Sequence, residues 1–521
     1  MIGWLRLGAG LGLAVTAILY GYRIADVPAQ LGWDEVFFAL NAHSIATTAR
    51  DVEGNVLPLY FHFSGALYYL PMIVYSMAAS FTLLPVSEFS IRLPTLIMGL
   101  TNVVLAYFVG RTIFKREWAG VLAGALMAMT PAHYIHSRFA LDYVFPLPFI
   151  FVWLWCLAAF LDRPRPWLIA GGVLSLGIGF YSYMAAVVMM PFYFVLTLVV
   201  VVLSDARRKP RYLAEALVFA IPLVLVMVFA IRHPTFYADQ IARYRVYDVK
   251  RFTLLQGIKE FLNYQNLTHR VSMYWDYNGP NYLFMSGGIK MTMTTRRAGV
   301  FLMTLAVFLP VGMYQSIVAR RNVLAWLLVA GFLTAPLAAL LVDDPYAIDR
   351  ELNLLPFGVL LATAGVVSLM NASRLWVRAM TVALLLLTPV AFAAFYRDYF
   401  SIYRMESAAW FERNIRGAIE ETLSRTDRGS TGQLYVNNEI GNVESYWRLY
   451  LIKHDRGDLL ARTRFFKPAT LDLATVPAGA LIVSSVEDPW QKEKVASGEI
   501  ETVFTAREPD GAPSYLVLRR L

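Results

Sequence analysis

The sequence predicts an α-helical polytopic membrane protein with about eleven transmembrane helices, amphipathic helices in a long first extramembrane loop, and a small C-terminal α/β soluble domain. Three observations carry that prediction. Of 521 residues, 58% are hydrophobic and 14% aromatic, and the mean hydropathy is +0.51. That is too apolar for a soluble chain and rich in the Tyr and Trp of interfacial belts. Apolar runs near the ~20 residues needed to cross a bilayer recur along the chain. The basic residues between those runs alternate in density from one loop to the next.

The runs lie at about 4–22, 93–114, 117–135, 143–161, 167–184, 186–203, 212–231, 298–318, 323–342, 352–370 and 375–396. The first has one early Arg and no clear small-residue cleavage site before Asp26, so it reads as a retained span and not a removed signal. With the N-terminus inside, every return to the cytoplasm is basic: Arg111/Lys115/Arg116, Arg163/Arg165, Arg207/Arg208/Lys209/Arg211, Arg320/Arg321 and Arg374/Arg378. The opposite short loops offer only Arg138 and Arg350, so the asymmetry supports both the odd count and the orientation. In the 167–203 stretch, Gly177, Gly179 and Tyr181-Ser-Tyr183 fit either a tight turn between two short spans or a kink in one tilted helix.

The basic loops account for much of the net charge of +9, so no nucleic-acid partner is needed to explain it. Cys156, the sole cysteine, falls mid-span and excludes an intramolecular disulfide or a cysteine-based metal cluster. Residues 1–396 form the predicted transmembrane domain, with non-cytoplasmic loops at 24–91 and 232–297. In the first loop, 34–49 reads as an amphipathic helix and 64–84 as an aromatic run suited to the membrane interface. From 397 to 521 hydrophobicity drops, a helical stretch near 404–424 precedes strand-like Gln433–Val436, Gly479–Ser484 and Tyr515–Leu518, and a small α/β domain follows. No repeat or nucleotide-binding loop is visible; Gly8-Ala-Gly-Leu-Gly12 lies within a span and reads as close helix packing.

The polar residues that ask for a reason fall on the non-cytoplasmic side. Asp34 and Glu35 stand about ten residues past the first span and open a loop far longer than a connector needs. On the same side come Asp51, His62, Arg138, Asp142, Tyr181, Tyr183 and Arg350. The chemistry this set fits is group transfer from a lipid-linked phosphate. A carboxylate, Asp34, takes the proton of an acceptor hydroxyl as it attacks a sugar carbon, and Arg138 with Arg350 stabilises the charge growing on the leaving phosphate. Asp51, His62, Asp142, Tyr181 and Tyr183 are the candidate substrate contacts.

Leu31-Gly-Trp-Asp-Glu35, Arg50-Asp-Val-Glu-Gly-Asn-Val-Leu-Pro-Leu59 and Ser90-Ile-Arg-Leu-Pro94 resemble the first luminal loop of GT-C glycosyltransferases of the protein O-mannosyltransferase and aminoarabinose-transferase type. Further matches follow in order: Pro131 to Arg138 with Asp142, Gly177 to Tyr183, Pro280 to Gly287, and Asp344 to Arg350 ahead of Leu355-Pro-Phe357. The resemblance covers roughly 1–396 and implies a GT-C fold, a polyprenyl-phosphate-sugar donor, an inverting mechanism and a luminal or periplasmic site whose first-loop aspartate maps onto Asp34. Glu35 stands where the family has its adjacent Glu, with a positioning or hydrogen-bonding role. After Gly287 the expected basic residues are only partly present, as Lys290, Arg296 and Arg297. The lack of extra repeat-type domains points to a bacterial-type enzyme in the inner membrane, with the C-terminal domain in the periplasm and a lipid, glycan or protein as acceptor.

Each candidate also has a plain structural reading. Asp34 and Glu35 sit where helix N-termini attract carboxylates. Asp51 precedes a Gly-Asn turn, His62 lies between Phe61 and Phe63 as in an aromatic belt, and Arg350 has Asp343, Asp344 and Glu351 as ready ion-pair partners. His133 and His136 share a helix face but lack certain carboxylate partners, so a divalent metal stays open without being required. Tyr274-Trp-Asp-Tyr-Asn278 bears a superficial likeness to the Trp-Trp-Asp-Tyr-Gly signature of oligosaccharyltransferases; it sits mid-chain without the glycine and reads as coincidence, with Asp276 kept as an acceptor-groove residue. The rival functions are a glycan ligase or metal-dependent oligosaccharyltransferase, and a flippase or transporter. Transporters favour midplane charges and paired halves, neither of which the sequence displays.

Overall fold

The computed structural model describes residues 2–64, 67–204, 209–243, 251–320, 322–427 and 432–521; Arg207, Arg208 and Arg321 of the predicted basic loops lie outside them. Six helices among the described residues are long and apolar enough to cross a membrane: Glu88–Phe114, Asp142–Asp162, Met184–Leu203, Lys209–Arg232, Val323–Leu341 and Leu375–Trp410. Each falls on a predicted span. The shorter apolar helices Arg6–Gly21, Glu117–Ala128, Pro166–Gly179, Leu305–Val318 and Leu354–Met370 fall on the other predicted runs. The ambiguous 167–203 stretch is two helices, Pro166–Gly179 and Met184–Leu203, with residues 180–183 turning between them.

The chain divides into two compact units. The first comprises Met1–Tyr22, Pro58–Ile73 and Pro94–Arg397, and the second Arg23–Leu57, Val74–Leu93 and Asp398–Leu521. In the first unit a close helix crossing joins Leu305–Tyr314 to Leu354–Met370. Gly312 and Gly365 face each other there: a Cβ on Gly312 would strike the Leu361 carbonyl, and one on Gly365 the Phe308 carbonyl. Where lipid supplies no hydrophobic drive between helices, such backbone approach is a main source of association. Gly365→Val is therefore expected to destabilise by ~1–3 kcal/mol or more, seen as a lowered melting temperature and loss of monodisperse protein in detergent. A variant that melts like the parent would mean these backbones do not meet so closely.

This unit also holds a short hairpin, β1 (Phe61–Ser64) and β2 (Leu67–Tyr69), which pairs His62 with Tyr68. The 64–84 run read as interfacial is thus part strand and part helix, the latter at Pro71–Leu83.

The second unit contains the C-terminal sheet. It has β3 (Leu434–Asn437), β4 (Thr463–Phe466), β5 (Leu481–Ser485), β6 (Ile500–Arg507) and β7 (Pro513–Arg520), in the order β4-β3-β5-β7-β6. Strands β4, β3 and β5 are parallel, and β7 runs antiparallel to both β5 and β6. Tyr435, Ile482 and Leu518 centre a core on one face. First-loop segments are woven into this unit. Tyr446 Oη donates to the Leu31 carbonyl at 2.8 Å. Glu88 takes Lys453 Nζ at 2.9 Å and Tyr450 Oη at 3.1 Å, while Lys453 and Arg416 also grip Glu420. Burial alone would raise the Glu420 carboxyl; the two cations outweigh it and hold it below the usual carboxylate range.

Candidate active site

Asp34 and Glu35 open the helix Trp33–Thr48. Glu35 Oε2 accepts the Gly32 backbone N–H at 2.8 Å and so satisfies an otherwise unpaired donor of the first turn. The same carboxylate is forked by Arg92, Nε to Oε1 at 2.9 Å and Nη2 to Oε2 at 3.1 Å. Arg92 spends its remaining donors on the carbonyls of Ile24 at 2.9 Å, Pro28 at 3.0 Å and Gln30 at 2.7 Å. Both side chains are essentially inaccessible, at 0% and 1% exposure. Glu35, to which the resemblance gives a positioning or hydrogen-bonding role beside Asp34, holds the strap 24–32 and the start of the helix. Asp34, half-buried, stands next to that fixed point.

Asp51 is occupied by its own turn, in the same unit. Its Oδ1 accepts the backbone N–H groups of Glu53 at 3.0 Å and Asn55 at 2.8 Å, and Oδ2 accepts Asn55 Nδ2 at 2.9 Å. This is the turn role that the sequence offered as its plain reading.

In the first unit, three of the predicted residues share one polar cluster. Tyr183 Oη donates to Asp349 Oδ2 at 3.2 Å, Lys290 Nζ lies 3.2 Å from Asp344 and 3.8 Å from Asp349, and Arg350 Nε donates to Asp344 Oδ2 at 3.0 Å. Asp142 belongs to the same field. Burial, with Asp349, Tyr143 and Asp142, pushes the Tyr183 phenol well above its ordinary value, and Arg350 acts the other way. Tyr277 Oη accepts the Ala347 N–H at 2.8 Å and donates to the Asp344 carbonyl, which steadies the loop 344–351. The cluster thus sets two side-chain cations among Asp142, Asp344 and Asp349.

Glu351, at the edge of the cluster, is 2% exposed, and one of its carboxylate oxygens has no hydrogen-bond partner. Burial pushes its carboxyl well above the ordinary value of 4.5, with Tyr282 opposing. A carboxyl raised in the folded state keeps its proton there but loses it on unfolding, so its cost to stability grows as pH rises above 4.5. Glu351→Gln, neutral and of similar shape, is expected to gain melting temperature over the parent at pH 8 and to lose that advantage at pH 5. Identical pH dependence of parent and variant would mean that Glu351 is not held neutral.

The remaining candidates have partners of their own. The fully buried Arg138 donates to the carbonyls of Tyr20 and, at 2.8 Å, Tyr22, with its guanidinium 5.3 Å from the Tyr134 ring centre. Tyr181 Oη inserts into a helix, donating to the Pro222 carbonyl at 2.6 Å and accepting Val226 N–H at 3.1 Å. His62 sits 5.3 Å ring-to-ring from Tyr68 on the hairpin. His133 Nδ1 meets Tyr20 Oη at 2.9 Å and His136 Nδ1 meets the Ala132 carbonyl at 2.8 Å. Among the described residues, no three His, Cys, Asp or Glu side chains gather as a metal site. Asp349 and Glu351 were not singled out from the sequence, although the acid-rich stretch Asp343–Glu351 ahead of an apolar span was a visible signal. Lys290, seen only as a partial substitute in a motif, is central.

Residues 70–231 match the family model described as dolichyl-phosphate-mannose-protein mannosyltransferase. That match covers under a third of the chain, so with the helical architecture and its C-terminal sheet domain the chain is similar to membrane glycosyltransferases of the GT-C type. Among solved structures it is similar to ArnT from Cupriavidus metallidurans in the apo state, at 12% identity and TM-score 0.55 over 98% of both chains. The same protein bound to undecaprenyl phosphate aligns at 13% identity and TM-score 0.52, covering 99% of this chain and 98% of that one. No curated protein matches the chain by sequence.

Proposed function

We propose that the protein transfers a sugar from a polyprenyl-phosphate donor to an acceptor at the non-cytoplasmic face of the inner membrane, with inversion at the sugar carbon. The acceptor oxygen attacks C1, its proton passes to Asp34, and the C1–O bond breaks so that its electron pair leaves on the polyprenyl phosphate. Lys290 and Arg350 meet that phosphate, while Arg138 braces the backbone at Tyr20 and Tyr22. The observation that carries the reading is the Lys290–Asp344–Arg350 group beside Tyr183 and Asp349. There, two cations rest on ion pairs that a phosphate can compete for, because charge-assisted bonds to an anion are of the same kind and strength. The solved ArnT complex with undecaprenyl phosphate supports the donor class. Glu35 is a positioning residue.

The test is transfer by purified protein in nanodiscs from a panel of radiolabelled polyprenyl-phosphate sugars to lipid, glycan and protein acceptors, with and without a chelator. Lys290→Gln and Arg350→Gln are each expected to raise the donor KM about tenfold, as loss of one charge-assisted phosphate contact implies, with unchanged melting temperature. No transfer from any donor by folded protein would overturn the reading and favour a ligase or flippase. Loss of transfer on chelation would bring in a divalent metal.

A further inference from the structure

The C-terminal sheet contains a crevice that the transferase reading does not use. Strand β3 leads through the helix Val443–Lys453 to β4 on one side of it, whereas the adjacent parallel strand β5 leads through Pro489–Ala496 towards β6 on the other. Connections that diverge from neighbouring parallel strands leave an opening outside their carboxyl ends, the place where open α/β sheets take ligands. A cavity of about 390 Å³ lies at that point, lined by residues that follow β3 and β5 and by Glu412 and Arg413. Its volume falls at the lower end of the ~300–1,000 Å³ typical of small-molecule pockets.

The floor is fixed. Asn437, the last residue of β3, donates through Nδ2 to Asp488 Oδ2 at 2.9 Å, and Ser484 Oγ donates to the same oxygen at 3.1 Å. Both Asn437 and Ser484 are buried. Above that floor the lining carries three further carboxylates, Glu412, Glu439 and Glu487, against one guanidinium, Arg413. Arg413 is itself paired to Glu487 at 2.6 Å. Tyr515 contributes a ring, and burial pushes its phenol up to about 12, so it stays a neutral hydrogen-bonding hydroxyl. Glu412 is half-buried, and burial pushes its carboxyl up.

This surplus of acceptors repels phosphates and carboxylates, and it suits a compact ligand with many O–H or N–H donors and an apolar face to lay against an aromatic ring. We propose that the crevice is a binding site for a sugar unit bearing no acid group, whether neutral or amine-bearing. The inference goes beyond the transferase reading and does not rest on it, because the readout is binding alone.

The experiment is saturation-transfer NMR on the full chain in lipid nanodiscs, free of sugar detergents. The probes are glucose, N-acetylglucosamine and glucosamine, with glucuronic acid as the anionic counterpart. Saturable binding is expected for the first three, at least tenfold weaker for glucuronic acid, and weakened several-fold by Glu439→Gln. Glu439 is exposed, so its substitution leaves the fold undisturbed, and Glu487→Gln provides a second variant. No saturable binding by any of the three probes, equal binding of glucuronic acid, or binding untouched by both variants would each overturn the proposal. In particular, sugar signals that survive both substitutions would belong to a different site.

Discussion

Asp34→Asn is expected to lower transfer by ~10²–10⁴-fold, the range that a positioned general base supplies, with donor KM and melting temperature close to those of the parent. The amide keeps the shape of the carboxylate at the second position of the helix Trp33–Thr48, and the neighbouring fork between Glu35 and Arg92 is untouched. What it removes is the capacity to take a proton from the acceptor nucleophile as the oxygen–carbon bond forms. Because the interaction is made only as the reaction proceeds, the loss belongs in kcat and not in substrate binding. The assay is single-turnover transfer at saturating donor, which separates chemistry from product release. Full activity in a folded Asp34→Asn protein would remove Asp34 from the mechanism, and a rise in KM at constant kcat would recast it as a substrate contact.

The contrast between Asp34 and Glu35 shows how far the sequence could be read. Two adjacent carboxylates past a span announced a special place, but their different duties depend on Arg92, 57 residues away. No local spacing encodes that pair; it follows from the strap 24–32 wrapping the start of the helix Glu88–Phe114. The spans were legible because a bilayer demands long apolar runs and the sequence supplies them wherever the structure has such helices. In the C-terminal domain, β3, β5 and β7 were visible because they are the inner strands and carry continuous buried positions. Strands β4 and β6 were missed because both are sheet edges with mixed exposure, which weakens the hydrophobic pattern on which a strand reading rests. Likewise Asp51 and Tyr181 carry residue types suited to substrate contact, and only tertiary geometry reveals that one is spent on a turn and the other on a helix backbone.

Arg92→Ala is expected to have the largest effect on stability. It would strand the Glu35 carboxylate in a buried setting without its counter-ion and leave the carbonyls of Ile24, Pro28 and Gln30 without their donors. Removing one partner of a buried pair costs ~3–5 kcal/mol, mostly as the penalty of the charge left behind. Glu35→Gln in the same background takes that charge away, so the double variant should recover a substantial part of the loss even though no ion pair is restored. Glu35→Gln alone leaves a buried guanidinium that still bonds three carbonyls and should be less severe than Arg92→Ala. Denaturant unfolding in detergent, followed by tryptophan fluorescence, gives the four corners of this cycle. Parallel kcat measurements on whichever variants stay folded report whether the fork also holds Asp34 in its working position. If Arg92→Ala unfolds with the parent's midpoint, the fork does not anchor the strap; if the double variant is no better than Arg92→Ala, the lost carbonyl bonds outweigh the stranded charge.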